Sequence, residues 1–201
     1  MRADLALIDV AVVAEAPTAA AAARENAQRM ERVIAALRRL VAADGSIQTG
    51  TYSIRPQYAA SRDQQSPRIT GFVVSNAVHV RTKAVERVGE LIDAAVQAGG
   101  NRIERLEFTL ADATAPRREA LRRAALDARD KAEVLARALA LRLGGVRSVT
   151  EQELGAVRPL ARQASMMYAE SAPATPVEPG EVEVQARVAL ILDIADEAER
   201  R

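Results

Sequence analysis

Apolar and polar positions change period several times along the chain, and those changes predict the elements. Leu5 to Val13 is an apolar, β-branched run broken only by Asp9, the pattern of a strand buried on much of both faces. Pro17-Thr18 supplies a stop and a helix cap. From Ala19 to Val41 the period becomes helical, with Met30, Val33, Ile34, Leu37, Leu40 and Val41 on one stripe and Asp44-Gly45 at the end. Gln48 to Tyr58 alternates, placing Tyr52, Ile54 and Tyr58 on one side and Thr51, Ser53 and Arg55 on the other. A polar stretch, 59–67, separates it from a second alternating run, Arg68 to Arg81, so the two are expected to form an antiparallel hairpin.

Lys83 to Ala98 reads as a second helix, terminated by Gly99-Gly100. Leu106, Phe108 and Leu110 alternate as a short strand. Pro116 is well placed as the first residue of a third helix, expected to run to Leu143 with Gly144-Gly145 as its stop, before a short strand over Val146 to Glu151. Residues 154–180 hold four prolines and read as one long loop. The strict alternation of Glu181 to Ile194 predicts a long last strand, central to a sheet, followed by a charged tail over 196–201. The whole predicts a single domain, residues 1–201, of α/β class: a mixed, partly antiparallel sheet packed by three helices, with a Pro-rich loop before the last strand. Its β-α-β-β-α-β portion resembles two split βαβ units, not the regular alternation of a doubly wound nucleotide fold.

Composition narrows the chemistry. Apolar residues make up 49% and aromatics only 2%, so the core must be aliphatic. The net charge of +1 argues against a polyanion binder, and no nucleic-acid partner is expected. The basic residues of the third helix, Arg117, Arg118, Arg122 and Arg123 among them, are interspersed with acids. With no cysteine, thiolate catalysis, zinc-thiolate sites and iron–sulfur clusters are excluded. No apolar run approaches the roughly 20 residues of a membrane span, and none resembles the core of a secretory signal.

No catalytic constellation emerges. The one histidine, His79, falls on the strand face shared with Ser75 and Arg81, and no Gly-x-Ser-x-Gly elbow accompanies it. Several helical carboxylates precede a cation by one turn: Glu25–Arg29, Glu119–Arg123, Asp127–Lys131 and Glu133–Arg137. Both glycine pairs follow helices, where anions are repelled. No catalytic, cofactor-binding or metal-binding residue is therefore assigned, and no cofactor is expected.

The third helix is apolar on two sides. Leu121, Ala125, Ala128, Ala132, Leu135, Leu139 and Leu143 form one stripe; Leu126, Val134 and Leu141 lie opposite. A helix of this kind is either sandwiched between its own sheet and a neighbouring subunit or carries scattered surface apolar residues. Together with Met166, Met167 and Tyr168 in the long loop, Leu126, Val134 and Leu141 form the candidate oligomer interface.

Several ordered stretches resemble the SIMPL domain family: ENAQRMERVIAAL (Glu25 to Leu37), IQTGTYSIRPQY (Ile47 to Tyr58), ITGFVVSNAVHV (Ile69 to Val80), the segments from Val88 to Phe108 and from Arg118 to Gly144, and VEPGEVEVQARVALILDI (Val177 to Ile194). The resemblance implies a mixed α/β domain, export to the periplasm or cell envelope in bacterial members, ring-like or channel-like homo-oligomers in some members, an association with oxidative-stress tolerance, and no catalytic residues. Family members usually open with a signal peptide and a Gly-rich first strand, and this chain shows neither; a cytoplasmic location is expected if Met1 is the natural start. The expected function is that of a non-catalytic, self-associating envelope protein, with a small-ligand or peptide-binding adaptor as the alternative and the protein partner unassigned.

Overall fold

A computed structural model describes residues 1–41, 43, 45–59, 68–152, 158–159, 175 and 177–196. The chain gathers into two compact units, one of residues 1–111 with 159–181, the other of residues 112–158 with 182–201.

The first unit is a four-stranded antiparallel sheet in the order β2-β3-β1-β4, built from β1 (Leu5–Ala16), β2 (Ser46–Tyr58), β3 (Ile69–Thr82) and β4 (Arg102–Thr109). Helices α1 (Ala19–Leu40) and α2 (Val88–Gln97) connect β1 to β2 and β3 to β4. This is the split βαβ arrangement expected from the order of elements. Both helices pack into one core on one sheet face. There Ile8, Val10 and Val12 of β1 and Val78 and Val80 of β3 meet Met30, Val33 and Leu37 of α1 and Val88, Leu91 and Ala95 of α2. The core is aliphatic, as composition required.

Local signals explain the boundaries. Thr18 is extended (φ −124°, ψ 148°) and its hydroxyl accepts from the Ala21 amide at 3.2 Å, closing the first turn of α1. A short 3-10 turn, Val85–Arg87, leads into α2. Gly99, at φ +114°, ends α2 in a left-handed conformation that other residues resist. Two polar residues of this unit, Asn26 and Thr82, are fully buried. Asn26, fully buried on the sheet-facing stripe of α1, donates from Nδ2 to the carbonyls of Val12 (2.6 Å) and Val74 (3.1 Å).

The second unit pairs α3 (Thr114–Ala138) with an antiparallel ladder of β5 (Leu141–Gln152) and β8 (Arg187–Asp196). Two-residue strands β6 (Arg158–Pro159) and β7 (Val182–Glu183) precede β8. The expected boundaries need correction here. Helix α3 stops at Ala138, not Leu143: Ala140 takes φ 55°, and Leu141 and Leu143 belong to β5. Gly144-Gly145 does not end the helix; it lies at a register shift of the ladder, where a Cβ on Gly144 would sit 3.0 Å from that of Asp193. The last strand is not central either. Among the described residues β8 pairs only with β5, and the predicted run is split between β7 and β8.

Candidate functional site

The face of the first unit's sheet opposite α1 and α2 bears a concavity of about 410 Å³. Strand alternation builds it. Thr51, Ser53 and Arg55 point into it from β2, on the side opposite Tyr52, Ile54 and Tyr58, as the sequence pattern required. Val13, Ser75 and Ala77 form the floor, and Arg102 and Glu104 reach in from β4. A bulge shapes the β4 side: Asp9 opposes Arg105 and Val10 opposes Ile103, leaving Glu104 as the extra residue.

Beside the groove, Asp9 and His79 are cross-strand partners, with His79 Nδ1 2.7 Å from Asp9 Oδ1. The other ring edge occupies the place of a side chain at Gly50; a Cβ there would fall 2.4 Å from Nε2. The imidazole therefore rests against the β2 backbone. Among the described residues no hydroxyl hydrogen-bonds to Nε2, so the pair has base and orienting group but no nucleophile in place. Among the described residues, no group of three or more His, Asp or Glu is placed to hold a metal ion.

The second unit is unusual for what it leaves uncovered. Its only buried apolar side chains among the described residues are Ala136 and Val182. On α3, Ala136 is buried and Ala124, Ala128 and Ala132 are half-buried, with Ala124 and Ala128 lining a small concavity beside Arg187 and Val188 of β8. Of the first apolar stripe read on this helix, Leu135 and Leu139 are 64% and 67% exposed. Leu126 and Val134, from the candidate interface, are 49% and 63% exposed on α3. Leu141, expected on the same helix, lies on β5 instead and is half-buried. Met166, Met167 and Tyr168 lie outside the described residues. Sequence reasoning missed Val146 and Val149 of β5 and Ile191 and Ile194 of β8, all more than half exposed. The available signal was the unbroken apolar run Val188 to Leu192, which marks a strand apolar on both faces.

The surface charges of α3 pair as the spacing required. Glu119 accepts from Arg122 and from Arg123, and these hydrogen bonds hold its carboxyl down to about 2. Lys131 bonds Asp127, and Arg137 pairs with Glu133. At the start of the helix Asp112 accepts from the Thr114 amide at 2.8 Å, and bonding to Thr114 holds its carboxyl below the usual range.

Among the described residues no helix is long and apolar enough to cross a membrane. The sequence profile of the SIMPL family, described as a protein of unknown function (DUF541), matches residues 1–191. The chain is also 30% identical over 197 residues to the 26 kDa periplasmic immunogenic proteins of Brucella melitensis biotype 1 and of Brucella abortus strain S19, covering 95% of this chain and 79% of each relative. With a mixed α/β fold, and with both profile and relatives spanning nearly its whole length, this chain belongs to the SIMPL family.

Proposed function

We propose that this chain is a non-catalytic, self-associating protein of the bacterial periplasm, and that its second unit supplies the assembly surface. The observation that carries the reading is the uncovered apolar surface of that unit. Eight large apolar side chains, Leu126, Val134 and Leu135 on α3, Leu139 just after it, and Val146, Val149, Ile191 and Ile194 on the ladder, are 49% to 67% exposed. A two-stranded sheet is marginal on its own, and both outer edges of this ladder are unpaired among the described residues. Exposed apolar surface on this scale marks an interaction site, and open strand edges recruit further strands.

A second copy is the simplest occupant because each edge can pair with the opposite edge of the next copy. Such head-to-tail contacts form rings when the rotation closes. The periplasmic location rests on the names of the relatives, and the absence of catalysis on the Asp9–His79 pair with no nucleophile in place. The family resemblance supports adding a link to oxidative-stress tolerance to this reading.

The test is a double substitution, Val134→Asp with Ile191→Asp, on exposed positions that the folded unit does not need. The variant is expected to keep its circular dichroism and elute at smaller size than the parent. Elution identical to the parent would contradict the proposed surface.

A further inference from the structure

We propose that the face of the four-stranded sheet opposite α1 and α2 binds a small zwitterion, an amino acid or a short peptide with free ends. The groove lies wholly in the first unit, and the inference does not depend on self-association. It extends the alternative raised by the sequence, a small-ligand or peptide module, to a defined place.

Size comes first. The concavity of about 410 Å³ falls within the range of small-molecule sites. Its floor is short: Val13, Ala77 and Ser75 leave room over the strands for a ligand rather than filling it with side chains. Ser53 and Ser75 are strand neighbours whose hydroxyls face this space and can bond a peptide amide.

Charge then selects the ligand. Arg55 from β2, Arg102 from β4 and Glu104 from β4 all line the groove, and among the described residues none enters an ion pair or side-chain hydrogen bond. The contrast with the neighbouring residues is informative. Arg105 and Glu107, also two apart on β4, close directly on one another. Arg102 and Glu104 have the same spacing and do not. The bulge between Asp9 and Val10 accounts for the difference, because it inserts Glu104 as the unpaired residue and turns it toward the groove. Two guanidinium groups and one carboxylate thus face the same space uncompensated.

A simple anion would meet Glu104, and a simple cation would meet both arginines. A ligand with separate carboxylate and ammonium groups satisfies all three. Guanidinium–carboxylate and carboxylate–ammonium hydrogen bonds are the strong, charge-assisted kind.

The test uses trialanine as probe, titrated calorimetrically into the full chain, beside N-acetyl-trialanine and trialanine amide. Trialanine is expected to bind saturably, and each blocked form to bind at least about tenfold more weakly, as loss of one charge-assisted bond implies. Glu104→Gln should remove the discrimination against the acetylated form only. Arg55→Gln with Arg102→Gln should remove the discrimination against the amide only. All three residues are exposed, so circular dichroism should be unchanged. No saturable binding of trialanine, equal affinity for blocked and free forms, or a preference for acetate or inorganic phosphate would each overturn the proposal.

Discussion

Asn26 is the polar residue on which the packing of α1 against the sheet turns, and replacing it gives a prediction with a definite size. Its Nδ2 reaches two strands at once, the Val12 carbonyl at 2.6 Å and the Val74 carbonyl at 3.1 Å, in a fully buried position. Each such bond contributes roughly 1 kcal/mol net, and removing a donor from a buried acceptor adds a desolvation penalty of similar order. Asn26→Ala also leaves a void between helix and sheet, worth about another 1 kcal/mol. The expected loss is therefore about 2–4 kcal/mol of unfolding free energy. Asn26→Asp should be worse, because a carboxylate oxygen would face two carbonyl oxygens with no water to screen them. Asn26→Leu should fall nearer Ala, filling space but still stranding the carbonyls. Urea unfolding followed by far-ultraviolet circular dichroism, at matched denaturant slope, measures these differences. An Asn26→Ala variant within about 0.5 kcal/mol of the parent would refute the reasoning, since that is the scale of an indifferent surface change.

Three further expectations follow from local geometry. The Asn101 amide mimics a peptide group at the end of β4, accepting from the Val13 amide and donating to the Val13 carbonyl, both at 2.8 Å; Asn101→Ala should lower stability by about 1–2 kcal/mol and speed hydrogen exchange at Val13, and unchanged exchange would count against this role. Glu119 titrates at about 2 in the folded chain against an ordinary value of 4.5, so its contribution is present above 4.5 and is lost as pH falls toward 2; helical ellipticity should decline across that window, and less so in Arg122→Ala with Arg123→Ala, with identical acid curves as the contrary result. Asp93 accepts from both the amide (3.0 Å) and the hydroxyl (2.6 Å) of Thr175, so Asp93→Ala should accelerate exchange of the Thr175 amide about tenfold, whereas no acceleration would show that other contacts hold that residue.

Much of the first unit was legible because each of its signals is local. The Thr18 cap, the α1 stripe, the β2–β3 alternation and the Gly99 terminator each depend on a few neighbouring residues, and each is found where the pattern put it. The paired charges of α1 and α3 were legible for the same reason. The junction of α3 and β5 was not. Leu135, Leu139 and Leu143 continue a helical period, and Gly144-Gly145 looks like a stop, yet Ala140 makes the left-handed turn and Gly144 serves a close approach to Asp193. The extent of β8 was misjudged because an unbroken apolar run fits either a central strand or one that leaves a face uncovered. The groove was invisible for a different reason. Arg55 and Arg102 are far apart in sequence, and only cross-strand register and the bulge at Glu104 bring them to one face.

The most direct test of the central claim is the absolute mass of the purified chain, by light scattering coupled to size-exclusion chromatography over a concentration series. The exposed apolar faces of α3, β5 and β8 predict a discrete oligomer, a fixed multiple of the 21.6 kDa chain that persists on dilution. A chain that stays at monomer mass at every concentration would contradict the account.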